Sequence, residues 1–350
     1  MTDAPDLSGG LRPEREQIRA TEPEEPFWSE NMLFALYDPT ADIGLWLHLG
    51  TVPNDWSMWQ EMNYAFLPGE EGVMSMWSYH RTDPERRPGG AGMEFRCVEP
   101  FRRWHLTFDG FGMRTSNQEM QAGLARVGDN RRFVVDLDIE FVTPAWDMHT
   151  AANADSGHGS MREQGWAKDH YEQLYRARGT VVVGADPVAF DGYGWRDHSQ
   201  GPRGGGTGAP WGGHVITGTL YDSGKGWGLS RYWTPDGAIS LEGGWVAGPD
   251  GVLHHAEVVE APRLPELIMS GEQLPVALRW PGGELHTTIV TRRSLWLSMM
   301  KGLAVGRDMD GPGLMYALNH GTSDWDGETG VTYLERSDPL NAYPAVLRHE

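Results

Sequence analysis

Cysteine is nearly absent from this 350-residue sequence, because Cys97 is its only example. A single cysteine excludes an intrachain disulfide and a thiolate metal cluster built within one chain. No run of about 18 apolar residues occurs, which excludes a membrane-spanning helix. The acidic start of the sequence also lacks the apolar stretch of a secretory signal. Together these absences predict a cytoplasmic protein.

Basic residues are scarce relative to acidic ones. The sequence has 29 lysines and arginines against 49 aspartates and glutamates, and its formal net charge is −20. An excess of negative charge opposes binding to nucleic acid and to anionic membrane surfaces. The sequence therefore predicts a small neutral molecule as the partner and leaves open whether two copies form a homodimer.

The common catalytic motifs are missing as well. The sequence contains no Walker A motif, no HExxH and no GxSxG. His254 and His255 are neighbours in a strand-like run, where consecutive side chains point to opposite faces, so they make a poor metal pair. The glycine-rich residues 201–208 do not connect a clear strand to a helix, which disfavours phosphate binding. We therefore predict no metal and no cofactor.

Glycine and tryptophan are abundant instead, with 46 and 16 copies. Many short segments alternate apolar and polar residues, as Phe133, Val135, Leu137 and Ile139 illustrate. A period of two between frequent turn signals indicates antiparallel strands that are buried on one face. This pattern predicts an all-β fold, either a barrel or a sandwich.

Two series of strands of similar length predict two β-domains in tandem. Residues 1–26 are acidic and contain no aromatic residue, so we expect a tail that is disordered or lies on the surface. The N-terminal domain then covers 27–168 and the C-terminal domain 169–345. The polar stretch 145–169 is the crossover, in which Ser160 is expected to cap a short helical turn.

One segment, residues 170–203, concentrates chemically active groups around a predicted β-hairpin. It contains His170, Glu172, Tyr193, Trp195, Arg196, Asp197, His198 and Arg203. Charged and imidazole groups beside tryptophan and glycine suit an acid or base held against an aromatic wall. A hydrogen-bond network that only stabilises a buried turn would use the same residue types.

Strand alternation divides this hairpin into two faces. Tyr193, Trp195 and Asp197 share one face with Ser199, and Arg196 and His198 share the other. If the first face lines the inside of a barrel, burial raises the pKa of Asp197 and keeps it protonated as a proton donor. A neighbouring histidine could instead keep Asp197 ionised as a base, and the residues alone leave both roles open.

The segment resembles the second-barrel signature of the carotenoid 1,2-hydratase and AttH-like family of double-lipocalin proteins. The resemblance rests on Trp195, Asp197, His198, Ser199 and Gly201, and on His170–Tyr171–Glu172 upstream. The stretches HYEQ and WRDHSxGxR are most similar to a bacterial branch of this group, and tocopherol cyclases and lipocalin-like Diels–Alderases look like relatives. The resemblance implies two tandem lipocalin-like antiparallel β-barrel domains joined by a short crossover.

The resemblance also implies a site. In the hydratases an aspartate of this hairpin protonates an isoprenoid double bond, which makes Asp197 the acid, and Glu172 stands where they have a second tryptophan, which argues against carotenoid hydration itself. The predicted catalytic residues are Asp197, His170, His198 and Glu172. The predicted substrate-binding residues are Tyr193, Trp195, Arg196, Arg203, Trp211 and Trp233.

We therefore predict a cofactor-independent lyase or isomerase. It would hydrate, dehydrate, cyclise or isomerise a neutral lipophilic molecule of terpenoid, steroid or polyketide type in a barrel cavity. Two other classes stay open: a carrier that binds such a molecule unchanged, and a carbohydrate-binding or lyase β-sandwich. A second polar cluster, His320 with Asp324 and Asp326, is either a further site or a loop held by side-chain hydrogen bonds.

Overall fold

The computed structural model describes residues 5–18, 23–53, 55–122, 129–164, 166–203, 212–299, 304–305 and 314–339. Most of them form antiparallel strands, which confirms the predicted all-β class. The described helices are α1 (Asn117–Ala122), α2 (Met148–Ala152) and the 3₁₀ turns Pro13–Glu16, Pro84–Arg86 and Met161–Glu163. None of them is long or apolar enough to cross a bilayer.

The first sheet is a closed barrel. Its strands are β1 (Trp28–Asp38), β2 (Ile43–Val52), β3 (Asp55–Phe66), β4 (Val73–Arg81), β5 (Met93–Glu99), β6 (Arg103–Thr115), β7 (Asn130–Phe141), β8 (Trp146–Asp147), β10 (Asp169–Val183) and β11 (Pro187–Pro202). The order is β11, β1, β2, β3, β4, β6, β7, β10, and the pairing of β10 with β11 closes the ring of eight strands. β5 adds to β6 and β8 adds to β10 outside this ring.

The second sheet closes in the same way. Its strands are β9 (His158–Gly159), β12 (His214–Leu220), β13 (Gly226–Trp233), β14 (Ile239–Ala247), β15 (Leu253–Glu260), β16 (Gln273–Trp280), β17 (Gly283–Met299), β18 (Ala304–Val305), β19 (Leu314–Trp325) and β20 (Glu328–Pro339). The order is β13, β12, β20, β19, β17, β16, β15, β14, and β14 pairs with β13.

The boundary between the barrels differs from the prediction. β10 and β11, which we expected to open the C-terminal domain at residue 169, pair with β7 and β1 of the first sheet. Without this hairpin the sheet from β1 to β7 would keep two open edges, and closure removes both of them. The first barrel therefore extends to Pro202 and the second begins at His214. The family signature lies in the first barrel rather than in the second.

The crossover links the two sheets as well as the two barrels. Its residues Trp146–Asp147 pair with β10, and His158–Gly159 pair with β14 of the second sheet. The predicted cap is present, because the backbone N–H of Arg162 donates to Ser160 Oγ at 3.3 Å.

Three large apolar cores hold the chain together. One fills the first barrel around Phe34 and Trp104, and one fills the second barrel around Trp227 and Leu278. The third lies between the barrels, where the outer faces of β1, β2, β10 and β11 pack against β12, β13, β14 and β20. Burial of apolar surface stabilises a fold by about 25 cal/mol per Å². The contact between the barrels therefore contributes to the stability of the chain.

The N-terminal segment is anchored rather than loose along its described part. Leu7 is buried, and its carbonyl accepts hydrogen bonds from the Ala145 backbone N–H and from Gln173 Nε2. Glu16 reaches into the end of the first barrel, where it is only 2% exposed. The expectation of a disordered or surface-lying tail therefore misses this anchoring, which depends on contacts 85 or more residues away in the sequence.

Candidate active site between the two barrels

The antiparallel register of β10 and β11 places the predicted acid groups side by side. Glu172 lies opposite Asp197, and His170 lies opposite Ser199. These side chains are on the outer face of the first barrel and face the second barrel. These predicted site residues therefore lie between the barrels, on the outside of the first barrel rather than in its interior.

The other face of the same hairpin points into the first barrel. Arg196 Nη1 donates to both carboxylate oxygens of Glu16 at 2.8 and 2.9 Å. His198 lies with Nδ1 2.7 Å from Tyr171 Oη and Nε2 2.8 Å from Glu30 Oε1. Arg196 and His198, predicted as substrate-binding and catalytic residues, are thus separated from Asp197 by the sheet itself, because adjacent residues of a strand point to opposite faces.

Glu172 and His170 form a buried pair on the site face. His170 Nε2 lies 2.8 Å from Glu172 Oε1, and Ser230 Oγ of the second barrel donates to the same oxygen at 3.0 Å. Burial raises the pKa of Glu172 well above its ordinary value and lowers the pKa of His170. Both directions favour the neutral forms, because few charges compensate at this depth.

The second barrel supplies a carboxylate that the sequence analysis missed. Glu335 Oε1 lies 3.0 Å from His214 Nε2, and Glu335 Oε2 accepts a hydrogen bond from Tyr333 Oη at 2.6 Å. Burial alone would raise the pKa of Glu335, but the hydrogen bonds and charge of His214 together with the Tyr333 hydroxyl lower it. Trp46 of the first barrel joins the network, because its Nε1 donates to Tyr333 Oη at 3.0 Å.

Asp197 has an environment unlike that of either glutamate. Burial, opposed by the nearby His170 and reinforced by Glu335, raises the pKa of Asp197 to about 7. Among the described residues, none donates a hydrogen bond to its carboxyl group. The side chain is only partly buried although both barrels surround it. Its carboxyl group is therefore free to meet a bound molecule.

Several side chains at the contact between the two barrels are only partly buried. The partly exposed residues are Asn31, His48, Trp166, Asp197, Arg203, Tyr316 and Glu335. The Asp197 side chain thus keeps solvent-accessible surface.

Aromatic rings pack around these residues at the contact between the barrels. Trp195 is fully buried beside Asp197 and stacks on Trp245 of the second barrel, with centroids 6.4 Å apart. On the other side Tyr232 stacks on Trp166 and on His214, each at 5.2 Å. Faces of aromatic rings accommodate apolar ligands and stabilise developing positive charge.

Three other predicted binding residues have different positions. Tyr193 shares the face of Asp197, but its hydroxyl donates to Asp222 and its ring carries Arg176, so it lies at the rim. Trp233 points into the core of the second barrel, and its neighbour Tyr232 faces the site instead. Trp211 lies outside the described residues. The sequence could have indicated Tyr232, because it precedes Trp233 on β13 and neighbouring residues of a strand point to opposite faces.

The second polar cluster does not form. His320 is 1% exposed and stacks on Tyr37 at 5.6 Å between the barrels. Asp324 lies near the strand end, where its Oδ1 accepts a hydrogen bond from Thr329 Oγ1 at 2.5 Å. Burial lowers the pKa of His320 to about 3. His320 is therefore a neutral packing residue of the inter-barrel core. Asp326 occupies the turn after β19.

Within the described part of the chain, no group of three or more His, Cys, Asp or Glu side chains is arranged to hold a metal ion. The chemistry that the described side chains offer is proton transfer, because the site brings together one carboxyl that titrates near neutral pH, one ionised carboxylate and one neutral acid. Environments that separate pKa values in this way are typical of acid and base assignments.

Comparisons with known structures agree with the fold. A provisionally assigned AttH protein from Nitrosomonas europaea superimposes with a TM-score of 0.58 at 12% identity, over 95% of this chain and 99% of the other. CghA with Sch210972 gives 0.52 at 10% identity over 89% of each chain, and CghA alone gives 0.51 at 10% identity over 89% of this chain and 88% of the other.

At these identities the likeness concerns the fold, and it confirms the predicted pair of tandem lipocalin-like barrels. A search of the curated proteins found no match. The model of one protein family matches residues 12–339, which is nearly the whole chain. The chain belongs to the family described as domain of unknown function (DUF7064).

Proposed function

We propose that this chain is an enzyme that transfers a proton to or from a lipophilic molecule bound between the two barrels, with Asp197 as the acid. The observation that carries the proposal is the Asp197 carboxyl itself. Its pKa is raised to about 7, it is partly exposed, and among the described residues it has no hydrogen-bond donor. A group with these properties can be protonated at neutral pH and still give its proton up.

The surroundings of Asp197 support this role. Protonation of a carbon–carbon double bond creates positive charge, which the ionised Glu335 and the faces of Trp166 and Tyr232 would stabilise. The Arg203 guanidinium lowers the pKa of Asp197 less than burial raises it, so Asp197 can hold its proton at neutral pH. Loss of a different proton gives an isomer, addition of water gives a hydrate and ring closure gives a cyclic product.

The reaction class therefore remains within the lyases and isomerases predicted from the sequence. The aromatic walls support a substrate whose body is apolar, of terpenoid, steroid or polyketide type. CghA, whose fold is similar at 10% identity, has been solved with Sch210972, which supports ligand binding by this architecture.

Incubation of a lipophilic metabolite extract in D₂O tests the proposal. We expect the wild-type chain to form a product that carries deuterium on carbon, and Asp197→Asn to form none while still enriching the substrate. Asp191→Asn, which removes an exposed carboxylate of the same hairpin, is the matched control and should keep the activity. Turnover by Asp197→Asn would contradict the proposal, and enrichment of an unchanged compound by every variant would indicate a carrier.

A further inference from the structure

Arg203 differs from the other deeply placed arginines of the chain. Arg196 is paired with Glu16, and Arg336 donates to Glu272 at 2.5 and 3.0 Å. Arg203 donates to Ser199 Oγ at 2.8 Å and to the backbone carbonyl of Trp166, both of which are neutral acceptors. Within the described residues, no carboxylate forms an ion pair with it.

A third neutral acceptor, Asn31, also binds the Arg203 guanidinium. With its amide turned to satisfy both ends, Asn31 accepts from Arg203 Nη2 at 2.6 Å and from Nε at 3.2 Å. Neutral acceptors orient the guanidinium without cancelling its charge. One Nη1 donor remains unused by these partners, and Arg203 is only partly buried.

The charge of Arg203 persists at neutral pH. Burial, opposed by Asp197, lowers the pKa of Arg203 to about 10. A guanidinium held between two barrels without an anion is costly, and such groups normally have an acidic partner. Glu335 is engaged by His214 and Tyr333, and Asp197 is uncharged when protonated, so neither supplies a permanent partner.

We propose that Arg203 binds a carboxylate group of the substrate, which makes the substrate class an amphipathic acid with an apolar body. The inference rests on the proposed function, because it concerns the same inter-barrel site. It replaces the neutral molecule predicted from the sequence. The apolar body would lie along Trp166 and Tyr232, with the reacting carbon at Asp197.

This placement links binding of the acid to the charge of Asp197. Among the described residues, the titratable groups that interact with Arg203 are Asp197, His170, His48, Tyr232 and Tyr316, and Asp197 in turn faces Glu172 and Glu335. Burial lowers the pKa of His48 to about 3 and lowers the pKa of His170, and it raises the pKa of both tyrosines and of Glu172, so the neutral form of each is favoured. The pKa of Asp197 is raised to about 7, so we expect Asp197 to change charge near neutral pH, and its ionised form repels a bound carboxylate.

Fluorescence titration with cis-parinaric acid and its methyl ester tests the inference without a known substrate. At pH 6.5 we expect the wild-type chain to bind the acid at least about tenfold more tightly than the ester, because only the acid forms a charge-assisted contact. Arg203→Gln should remove this preference. Arg178→Gln, which removes an exposed charge from the same hairpin, is the matched control and should keep it.

A second readout separates a binding role from a merely structural one. The wild-type affinity for the acid should fall by up to about tenfold per pH unit above pH 7, and Asp197→Asn should bind the acid equally well from pH 6 to 8.5. The ester should show no such dependence. Arg203→Lys, which keeps a charge in case Arg203→Gln does not fold, should retain part of the preference for the acid.

Equal binding of acid and ester by the wild-type chain, or a preference that survives Arg203→Gln, would overturn the inference. The D₂O experiment distinguishes this failure from failure of the proposed function. Deuterium incorporation without any preference for the acid would support the proton transfer and contradict the carboxylate contact. Binding of the acid through Arg203 without deuterium incorporation into any acid substrate would support the carboxylate contact and contradict the enzymatic function.

Discussion

At the scale of single residues, the hairpin shows how one strand serves two purposes. Asp197 faces the space between the barrels, and the residues on either side of it, Arg196 and His198, are fixed inside the first barrel. The inner residues hold the backbone in place by contacts with Glu16 and Glu30. The outer residue is thereby presented to a ligand by a rigid support, as precise chemistry requires.

Glu16 gives the first prediction at this scale. Burial opposes its ionisation, but Arg196 and the hydrogen bond from Tyr171 hold the pKa of Glu16 below its ordinary value. Replacement by glutamine leaves Arg196 buried without a counter-charge, so we expect Glu16→Gln to lower the free energy of unfolding by about 3–5 kcal/mol near pH 7. Chemical denaturation measures this loss.

The pH dependence of the Glu16 effect has a definite sign. A carboxyl group whose pKa is depressed in the folded state stabilises the fold above its unfolded pKa and loses that effect as pH falls through the folded pKa. The difference between Glu16→Gln and the wild type should therefore shrink in acid. Glu14→Gln changes an exposed carboxylate of the same 3₁₀ turn and should leave stability unchanged. A full-sized effect of Glu16→Gln at pH 3 would contradict the ion-pair interpretation.

At the scale of elements, the two barrels meet where glycine leaves room for tryptophan. A Cβ atom on Gly218 of β12 would lie 2.1 Å from Trp195 Cζ3, and one on Gly228 of β13 would lie 2.7 Å from the same atom. Both contacts are far too short for carbon atoms. Trp195 can stack on Trp245 only because these strands carry no side chain at the crossing point.

Gly218→Ala is therefore expected to displace Trp195. We expect overpacking to cost about 1–3 kcal/mol of unfolding free energy and to change the near-ultraviolet circular dichroism of the tryptophans. Gly248→Ala is a suitable control, because the nearest atom to its Cβ is a flexible carboxylate oxygen of Asp250 at 2.8 Å. Unchanged stability and unchanged tryptophan dichroism in Gly218→Ala would show that the crossing is looser than described.

The strands and the faces of their side chains could be predicted from the sequence, whereas the pairing of distant strands could not. Period two correctly indicated strands and placed Asp197 and Trp195 on one face, because alternation is a local property. The partner strands were not local: β11 pairs with β1 across about 160 residues, which no pattern within the hairpin specifies. This long-range pairing moved the hairpin from the second barrel to the first and moved the site out of the barrel interior.

At the scale of the whole molecule, the candidate site is built from residues of both barrels. The first barrel contributes Asp197, His170 and Glu172, and the second contributes Glu335 and Tyr232. The sequence analysis found the first group, which is dense along the chain. It missed the second group, because Tyr232 and Glu335 are isolated polar residues in ordinary strands and become informative only when the barrels are brought together.

The raised pKa of Asp197 is likewise a property of both barrels. Its main cause is burial beneath the second barrel, and the Glu335 charge that reinforces it comes from β20. An acid whose pKa is raised on folding stabilises the fold below its unfolded pKa and loses that contribution as pH rises toward the folded value. The proton on Asp197 therefore links the packing of the two barrels to the proposed chemistry.

Infrared difference spectroscopy of the Asp197 carboxyl group tests this account most directly. The carbonyl band of the protonated acid, identified by its absence in Asp197→Asn and its presence in Asp191→Asn, is followed as a function of pH. The account predicts that this band disappears with a midpoint near pH 7. A midpoint near the ordinary aspartate value of 3.8 would contradict the central claim, because Asp197 would then hold no proton to transfer at neutral pH.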